Sequence, residues 1–358
     1  MIWFLVALLG ITYVINMVAL SYGFTNLNYR MEIRQKTAEI GDGIDIESIV
    51  ENLSLLSVSF LRIDELFPTG FHKKQNTYTL FVMPYQRVKR TYKLIAEKRG
   101  LYSIKDVTLT LGDFVGLESH KKQIKLDHEV IVFPKKLELS ENIVPEGALS
   151  GDISVKRWII DDPLMTIGIR EYTGNEPERY IHWPSSIKYG NLMVRSFDFT
   201  TDNSVMVVLN LETMKPCWKP VEEGLIENAI SITRGVIEEF EDIKIPYGIA
   251  NNEYNKNPDY VRGHFYHPGL GQSHLVNLLE VLGKINYKVP FFFENTLKDI
   301  GKSKGNYSTI VIITPRILET YIDPINELSR TVNGVVVISL EGEHLEQLNN
   351  KIIKYRSK

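Results

Sequence analysis

The sequence predicts a composite chain, α/β plus all-β: an N-terminal transmembrane helix, a β-sandwich-like domain, then a doubly wound α/β domain. Three observations lead there. Residues 2–22, IWFLVALLGITYVINMVALSY, carry no charged side chain. Residues 24–140 break into short alternating runs separated by turn residues, the pattern of antiparallel sheet. Beyond residue 200, apolar strands alternate with segments of helical period, which implies parallel strands flanked by helices. The boundaries fall at 1–23 for the anchor, 24–140 for the sandwich-like domain, 141–200 for a connecting segment and 201–358 for the α/β domain.

The anchor is argued from length. About 20 helical residues at roughly 1.5 Å each cross the hydrocarbon core of a bilayer. A cleaved signal peptide would need a basic start and a small-residue cleavage site, and neither stands out. Arg30, Arg34 and Lys36 follow the apolar run, so the positive-inside bias places a single-pass protein with its bulk in the cytoplasm of the cell.

Within 24–140, strands are expected at IDIESIVENL, LSVSFLRIDEL, TYTLFVMP, VKRTYKLIAEK, YSIKDVTLTL and HEVIVFP. Alternation puts Arg87, Lys89, Thr91 and Lys93 on one side of their strand, a solvated face rather than a binding patch. Overall charge agrees. Lys and Arg total 41 against 44 Asp and Glu, which gives no general attraction to nucleic acid. Cys217 is the only cysteine, so disulfides within the chain and thiolate zinc sites are excluded.

In the last domain, SVMVVLNL, IKIPYGIAN, YSTIVIIT and GVVVISL read as strands. The segments VEEGLIENAISITRGVIEEFED, SHLVNLLEVLGKI, PINELSRTV and EHLEQLNNKIIKYR read as the alternating helices. No GxGxxG or Walker A sequence opens any helix, which argues against a bound nucleotide, and no cofactor is expected.

The segment GIREYTGNEPERYIHW, residues 168–183, sets Arg170, Glu171, Glu176, Glu178 and Arg179 among Tyr172, Tyr180 and Trp183. Arg–carboxylate pairs and Arg stacking on aromatic rings would lock such a loop in one shape. This segment resembles the signature of the bacterial domain-of-unknown-function 58 family. Gly168, Arg170, Tyr172, Arg179, Ile181 and Trp183 match it, followed by Gly190, Leu192 and Val194. The Gly-Asp turn of that signature is here Asn175-Glu176. EKRGLYSI, GDFVGLE, HEVIVFPKKLEL and GLGQSHLVNLLEVL also resemble family segments, the second without the family's proline.

The resemblance implies an N-terminal membrane anchor, a sandwich-like region and a C-terminal domain similar to von Willebrand factor type A, of Rossmann type. It implies pairing with a MoxR-type AAA+ ATPase, hence an adaptor. Type A domains that hold Mg²⁺ use Asp-x-Ser-x-Ser after their first strand. Here Asn210, Glu212 and Met214 occupy those positions. An amide brings no charge and a thioether is a poor ligand for a hard cation, so the site is expected to be degenerate and metal-free. Thr314-Pro315 stands where a second Asp belongs, and Ser273 is a stand-in hydroxyl.

Other residues offer candidate chemistry. His264, His267 and His274 are read as loop histidines or a metal cluster. Glu176 with His182 is the acid–base alternative, and Cys217 the nucleophilic one. Trp218, between two Lys-Pro turns, is read either as a partner contact or as packing on the first helix. The expectation is therefore a membrane-tethered, non-enzymatic scaffold that binds a protein and not nucleic acid. A metal-dependent adhesion module and a hydrolase are the alternatives.

Overall fold

The computed structural model describes residues 10, 11, 13, 14, 17, 24, 26–112, 119–145, 158, 166–173, 178, 181–197, 204–216, 221–253, 264–288, 291–302 and 307–358. The chain divides into two compact units, Met1–Lys135 with Glu280–Lys284, and Lys136–Leu279 with Ile285–Lys358.

The first unit is built from β1 (Leu27–Ile33), β2 (Thr37–Ala38), β3 (Gly43–Asn52), β4 (Val58–Leu66), β5 (Gln75–Val82), β6 (Arg87–Ile95), β7 (Gly100–Gly112) and β8 (Ser119–Val132). They form two sheets, ordered β1-β3-β6 and β2-β8-β7-β4-β5. Leu27, Ile44 and Ile46 of one sheet and Leu61, Ile63, Val107 and Leu109 of the other enter a single apolar core. Alternation with period two makes this possible, because each strand turns one face inward. The basic face of β6 is solvated, and Arg87 pairs with Glu51 and Lys89 with Glu47 across the strand.

The later elements are β9 (Ile143–Pro145), β10 (Thr166–Glu171), β11 (Met193–Phe197), β12 (Ser204–Leu209), β13 (Tyr247–Asn251), β14 (His264–Gly269), β15 (Tyr307–Thr314), β16 (Gly334–Ser339) and β17 (Ile353–Ser357). The helices are α1 (Leu139–Asn142), α2 (Trp183–Tyr189), α3 (Glu223–Asp242), α4 (Gln272–Lys284), α5 (Phe293–Lys302) and α6 (Glu319–Thr331). One sheet runs β14-β13-β12-β15-β16-β17-β9. Its five middle strands are parallel, and both edge strands are antiparallel to their neighbours.

Every residue of β12 is buried, as a strand covered on both faces must be. Met206 and Val208 pack with Phe293 and Leu297 of α5 and Tyr321 and Ile325 of α6. The apolar stripe of α3, including Ile226, Ile230 and Ile237, is fully buried, and α3 packs on β12 and β15. Gly235 lies inside α3 where a Cβ would sit 2.8 Å from the carbonyl oxygen of Leu137. The close approach of that chain explains a residue that costs a helix about 1 kcal/mol relative to alanine. Trp158 is wholly buried, donates from Nε1 to Tyr355 Oη at 2.9 Å and meets the Phe240 ring edge-on.

The expected fold class needs correction. Among the described residues strand outweighs helix, 43% against 28%, and the large sheet of the second unit is mixed rather than wholly parallel, with β9 joining it from before residue 200. EHLEQLNNKIIKYR is not a helix. Leu345–Gln347 form a single 3-10 turn and Ile353–Ser357 add a strand between β16 and β9. The expected helix PINELSRTV begins earlier, at Glu319, and carries Pro324 inside it.

The expected anchor at 1–23, and the single-pass location with a cytoplasmic bulk, are also corrected. Among the described residues no helix is long and apolar enough to cross a membrane. Most of residues 1–23 lie outside the described residues. The longest described helix, α3, has 20 residues but one polar face, so it suits the side of a sheet rather than a bilayer.

Candidate functional site

The C-terminal end of β12 brings together the polar residues singled out in the sequence. Asn210 leaves the strand with its backbone N–H on Ile313 O at 2.8 Å, which extends the ladder by one bond. Its side chain donates to Thr314 Oγ1 at 2.9 Å and to Glu212 O at 3.2 Å. It accepts from Glu212 N at 2.8 Å and from Asn252 Nδ2 at 3.2 Å. An amide offers two protons and two lone pairs, so Asn210 is saturated by its own fold. Thr314, in turn, donates to Arg316 O at 2.7 Å, and Asn252 Oδ1 accepts from Leu211 N at 2.8 Å. The arrangement ties three strand ends together. It suits an amide at position 210 and would not suit a carboxylate, which lacks the two protons.

Glu212 is 1% exposed. Its Oε2 accepts from Tyr321 Oη at 2.6 Å and from Phe293 N, the first residue of α5, at 3.1 Å. Oε1 has no hydrogen-bond partner among the described residues. Burial pushes the Glu212 carboxyl above the usual carboxylate range, against the opposing pull of the Tyr321 and Phe293 bonds and the Lys215 charge. Lys215 itself contacts Glu294 Oε1 and lies 4.6 Å from the Phe292 ring centroid.

A carboxyl raised in the folded state favours the protonated form. Its stabilising contribution is complete below the unfolded value and is lost as pH rises through the folded one. Glu212→Gln is therefore expected to gain in stability on the wild-type chain as pH rises from 4 to 8. Thermal melts at several pH values read this directly, and a gain that shrinks with rising pH would contradict it.

Met214 is half-buried beyond this cluster, and Ser273 is exposed near the start of α4. His264 and His267 lie on the edge strand β14, whereas His274 sits on α4 with Nε2 2.8 Å from Tyr247 O. Among the described residues no three His, Cys, Asp or Glu side chains gather as a metal cluster. Cys217 and Trp218 lie outside the described residues, as do Glu176 and Arg179.

The described residues of the 168–183 segment form a fastened unit. Gly168 and Arg170 lie on β10 opposite Ser196 and Val194 of β11, and Ile181 bridges to Val194. Tyr172 follows β10 with its N–H on Leu192 O at 2.8 Å. The segment does not end in a loop: Trp183 begins α2. His182 caps that helix, its Nδ1 accepting from Ser185 N at 3.3 Å, a use of the ring that the acid–base alternative did not include. Ser186 Oγ donates to His182 O at 3.1 Å and accepts from Met193 N at 2.8 Å. Gly190, at φ 73°, closes the helix in the left-handed conformation, which a side chain would resist.

With both ends fixed, α2 presents Trp183 at 60% exposure and Ile187 at 83%, one turn apart on the same face.

One residue escaped the sequence reading. Glu65 is fully buried in the sandwich core. Its Oε1 accepts from Tyr29 Oη at 2.8 Å, Ser48 Oγ at 2.5 Å and Tyr78 Oη at 3.0 Å. Its Oε2 accepts from Asn76 Nδ2 at 2.8 Å and Tyr92 Oη at 2.5 Å. Burial first, then the Glu65 charge, push all three phenols well above the usual tyrosine range. The signal was phase. Leu61, Ile63 and Glu65 share one side of β4, while Phe60 and Leu66 point outward.

No protein-family model matches the chain, and no curated protein matches it. Among solved structures, the CARDB domain of a Pyrococcus furiosus protein is similar at 13% identity over 30% of this chain and 91% of its own, with a TM-score of 0.22. The bacterial hydrophobin BslA is similar at 13% identity over 31% of this chain and 97% of its own, with a TM-score of 0.22. A Listeria innocua beta-glucosidase is similar at 10% identity over 29% of this chain and 17% of its own, with a TM-score of 0.18. Likenesses of this size carry no inference about function, and they lend none to the resemblance to the domain-of-unknown-function 58 family or to a type A domain.

Proposed function

We propose that the chain is a non-enzymatic scaffold whose second unit binds a protein partner through the exposed face of α2. The observation that carries this reading is the apolar face of Trp183 and Ile187 on a helix anchored at both ends. Large aromatic and aliphatic side chains held rigidly in water lose little conformational entropy when covered, and such anchors dominate binding energies at protein interfaces. Lys188 and Glu171 are exposed around this face and supply the polar rim that such interfaces have. The saturated bonding of Asn210 supports the non-enzymatic part, because that side chain has no lone pair or proton left for a ligand.

The motif resemblance names the partner to try first, a MoxR-type AAA+ ATPase. The full chain and the MoxR-type ATPase of the same genome, both purified, should bind each other. Ile187→Asp and Trp183→Ala should each weaken that binding about 30-fold, the scale of one interface hot spot, while leaving the melting temperature unchanged. Equal affinity for wild type and variants, or no complex at all, would overturn the reading.

A further inference from the structure

The first unit carries an apolar crown at one end of its sandwich. The β3–β4 loop, Leu53-Ser54-Leu55-Leu56-Ser57, and the β5–β6 turn, Met83-Pro84-Tyr85-Gln86, contain no charged residue. Leu55 is 79% exposed and Met83 58%, and Leu53, Leu56, Phe81 and Tyr85 are exposed with them. Asn52 holds the two segments together, donating from Nδ2 to Leu56 O at 2.8 Å and to Met83 O at 3.0 Å.

Three backbone donors of the crown have partners of their own. Leu53 N donates to Asn26 O at 2.8 Å, Ser54 N to Asn52 Oδ1 at 3.0 Å and Met83 N to Gln86 Oε1 at 2.7 Å. Tyr85 stands at φ 54°, a conformation in which Gly or Asn would cost less. A bulky ring kept there points to a use for the ring.

The placement of charge selects a lipid surface over a protein. Behind the crown, the first residues of β8 supply exposed Lys121 and Lys122, and Lys122 Nζ lies over the Phe24 ring at 5.9 Å. Apolar tips with cations set back from them match the layering of acyl chains under anionic headgroups.

We propose that this end of the sandwich docks on an anionic lipid surface, with the Leu53–Leu56 and Met83–Tyr85 loops in the acyl boundary and Lys121 and Lys122 among the headgroups. The contact is peripheral and requires no helix to cross the bilayer.

The test uses the full chain with Cys217→Ser and one new cysteine, Leu55→Cys, Met83→Cys or Lys73→Cys, each carrying an environment-sensitive fluorophore. Lys73 is exposed in the β4–β5 connection, at the other end of the sandwich. On vesicles of phosphatidylcholine and phosphatidylglycerol, the probes at 55 and 83 should shift to the blue and be quenched by doxyl lipids, while the probe at 73 does neither. Lys121→Glu with Lys122→Glu should abolish the preference for phosphatidylglycerol.

Failure of the chain to bind vesicles would overturn the proposal. So would binding that leaves the probes at 55 and 83 in water, which would assign the contact to another segment. A blue shift without vesicles that follows protein concentration would also overturn it, by assigning the crown to a second copy of the chain.

Discussion

Glu65→Ala should destabilise the β unit by about 4 kcal/mol, enough to threaten its folding. The substitution removes the acceptor shared by three phenols, a serine hydroxyl and an asparagine amide. Each buried donor left without a partner costs on the order of 1–3 kcal/mol, partly relieved where water can enter. Glu65→Gln should cost less, about 2 kcal/mol, because one carbonyl oxygen survives while the new amide protons face existing donors. Urea unfolding followed by tyrosine fluorescence measures both. A loss below about 1 kcal/mol for the alanine variant would show that the cluster is not what joins the two sheets.

Asn210→Asp should cost about 3 kcal/mol despite the near identity of shape. The aspartate keeps the two acceptor positions toward Glu212 N and Asn252 Nδ2. It loses both donors, so oxygen would face oxygen at Thr314 Oγ1 and Glu212 O. A new buried charge would also stand beside the Glu212 carboxyl, which burial already disfavours as an ion. Melts with and without Mg²⁺ decide between two accounts. The saturated amide predicts a lower melting temperature that Mg²⁺ does not restore. Recovery with Mg²⁺ would mean that the strand end is a cation site blocked by one substitution.

Much of the strand layout was legible, because period-two alternation and turn residues act locally. The runs beginning at Ile44, Leu56, Thr77, Val88 and Tyr102 overlap β3 to β7 within a few residues. The long helix from Glu223 was legible for the same reason, since its apolar stripe has period 3.6. What failed depended on tertiary context. Residues 341–358 contain enough Leu, Ile and Glu to read as helix, yet Ile353–Ser357 form a strand between β16 and β9. An uncharged run at the N-terminus predicted a span, but apolar composition does not by itself establish a continuous helix. The short helix at Trp183 was hidden because its N-cap, His182, and its Ser186 are held by Met193 of β11, eleven and seven residues further along the chain.

At the candidate site, the residue types at 210, 212 and 214 argued against a cation from sequence alone. Their actual partners, Asn252, Phe293 and Tyr321, lie far away in the chain and left no local signal. Glu65 was different, because its phase with Leu61 and Ile63 was visible, and the pairing of a carboxylate with an inward position was the clue.

The central claim, that the face of α2 is the protein-binding surface, is tested most directly by hydrogen–deuterium exchange on the full chain with and without the MoxR-type ATPase. The account predicts slowed exchange across residues 183–193 in the complex and no change at 210–216. Protection at 210–216 with 183–193 unaltered would contradict it.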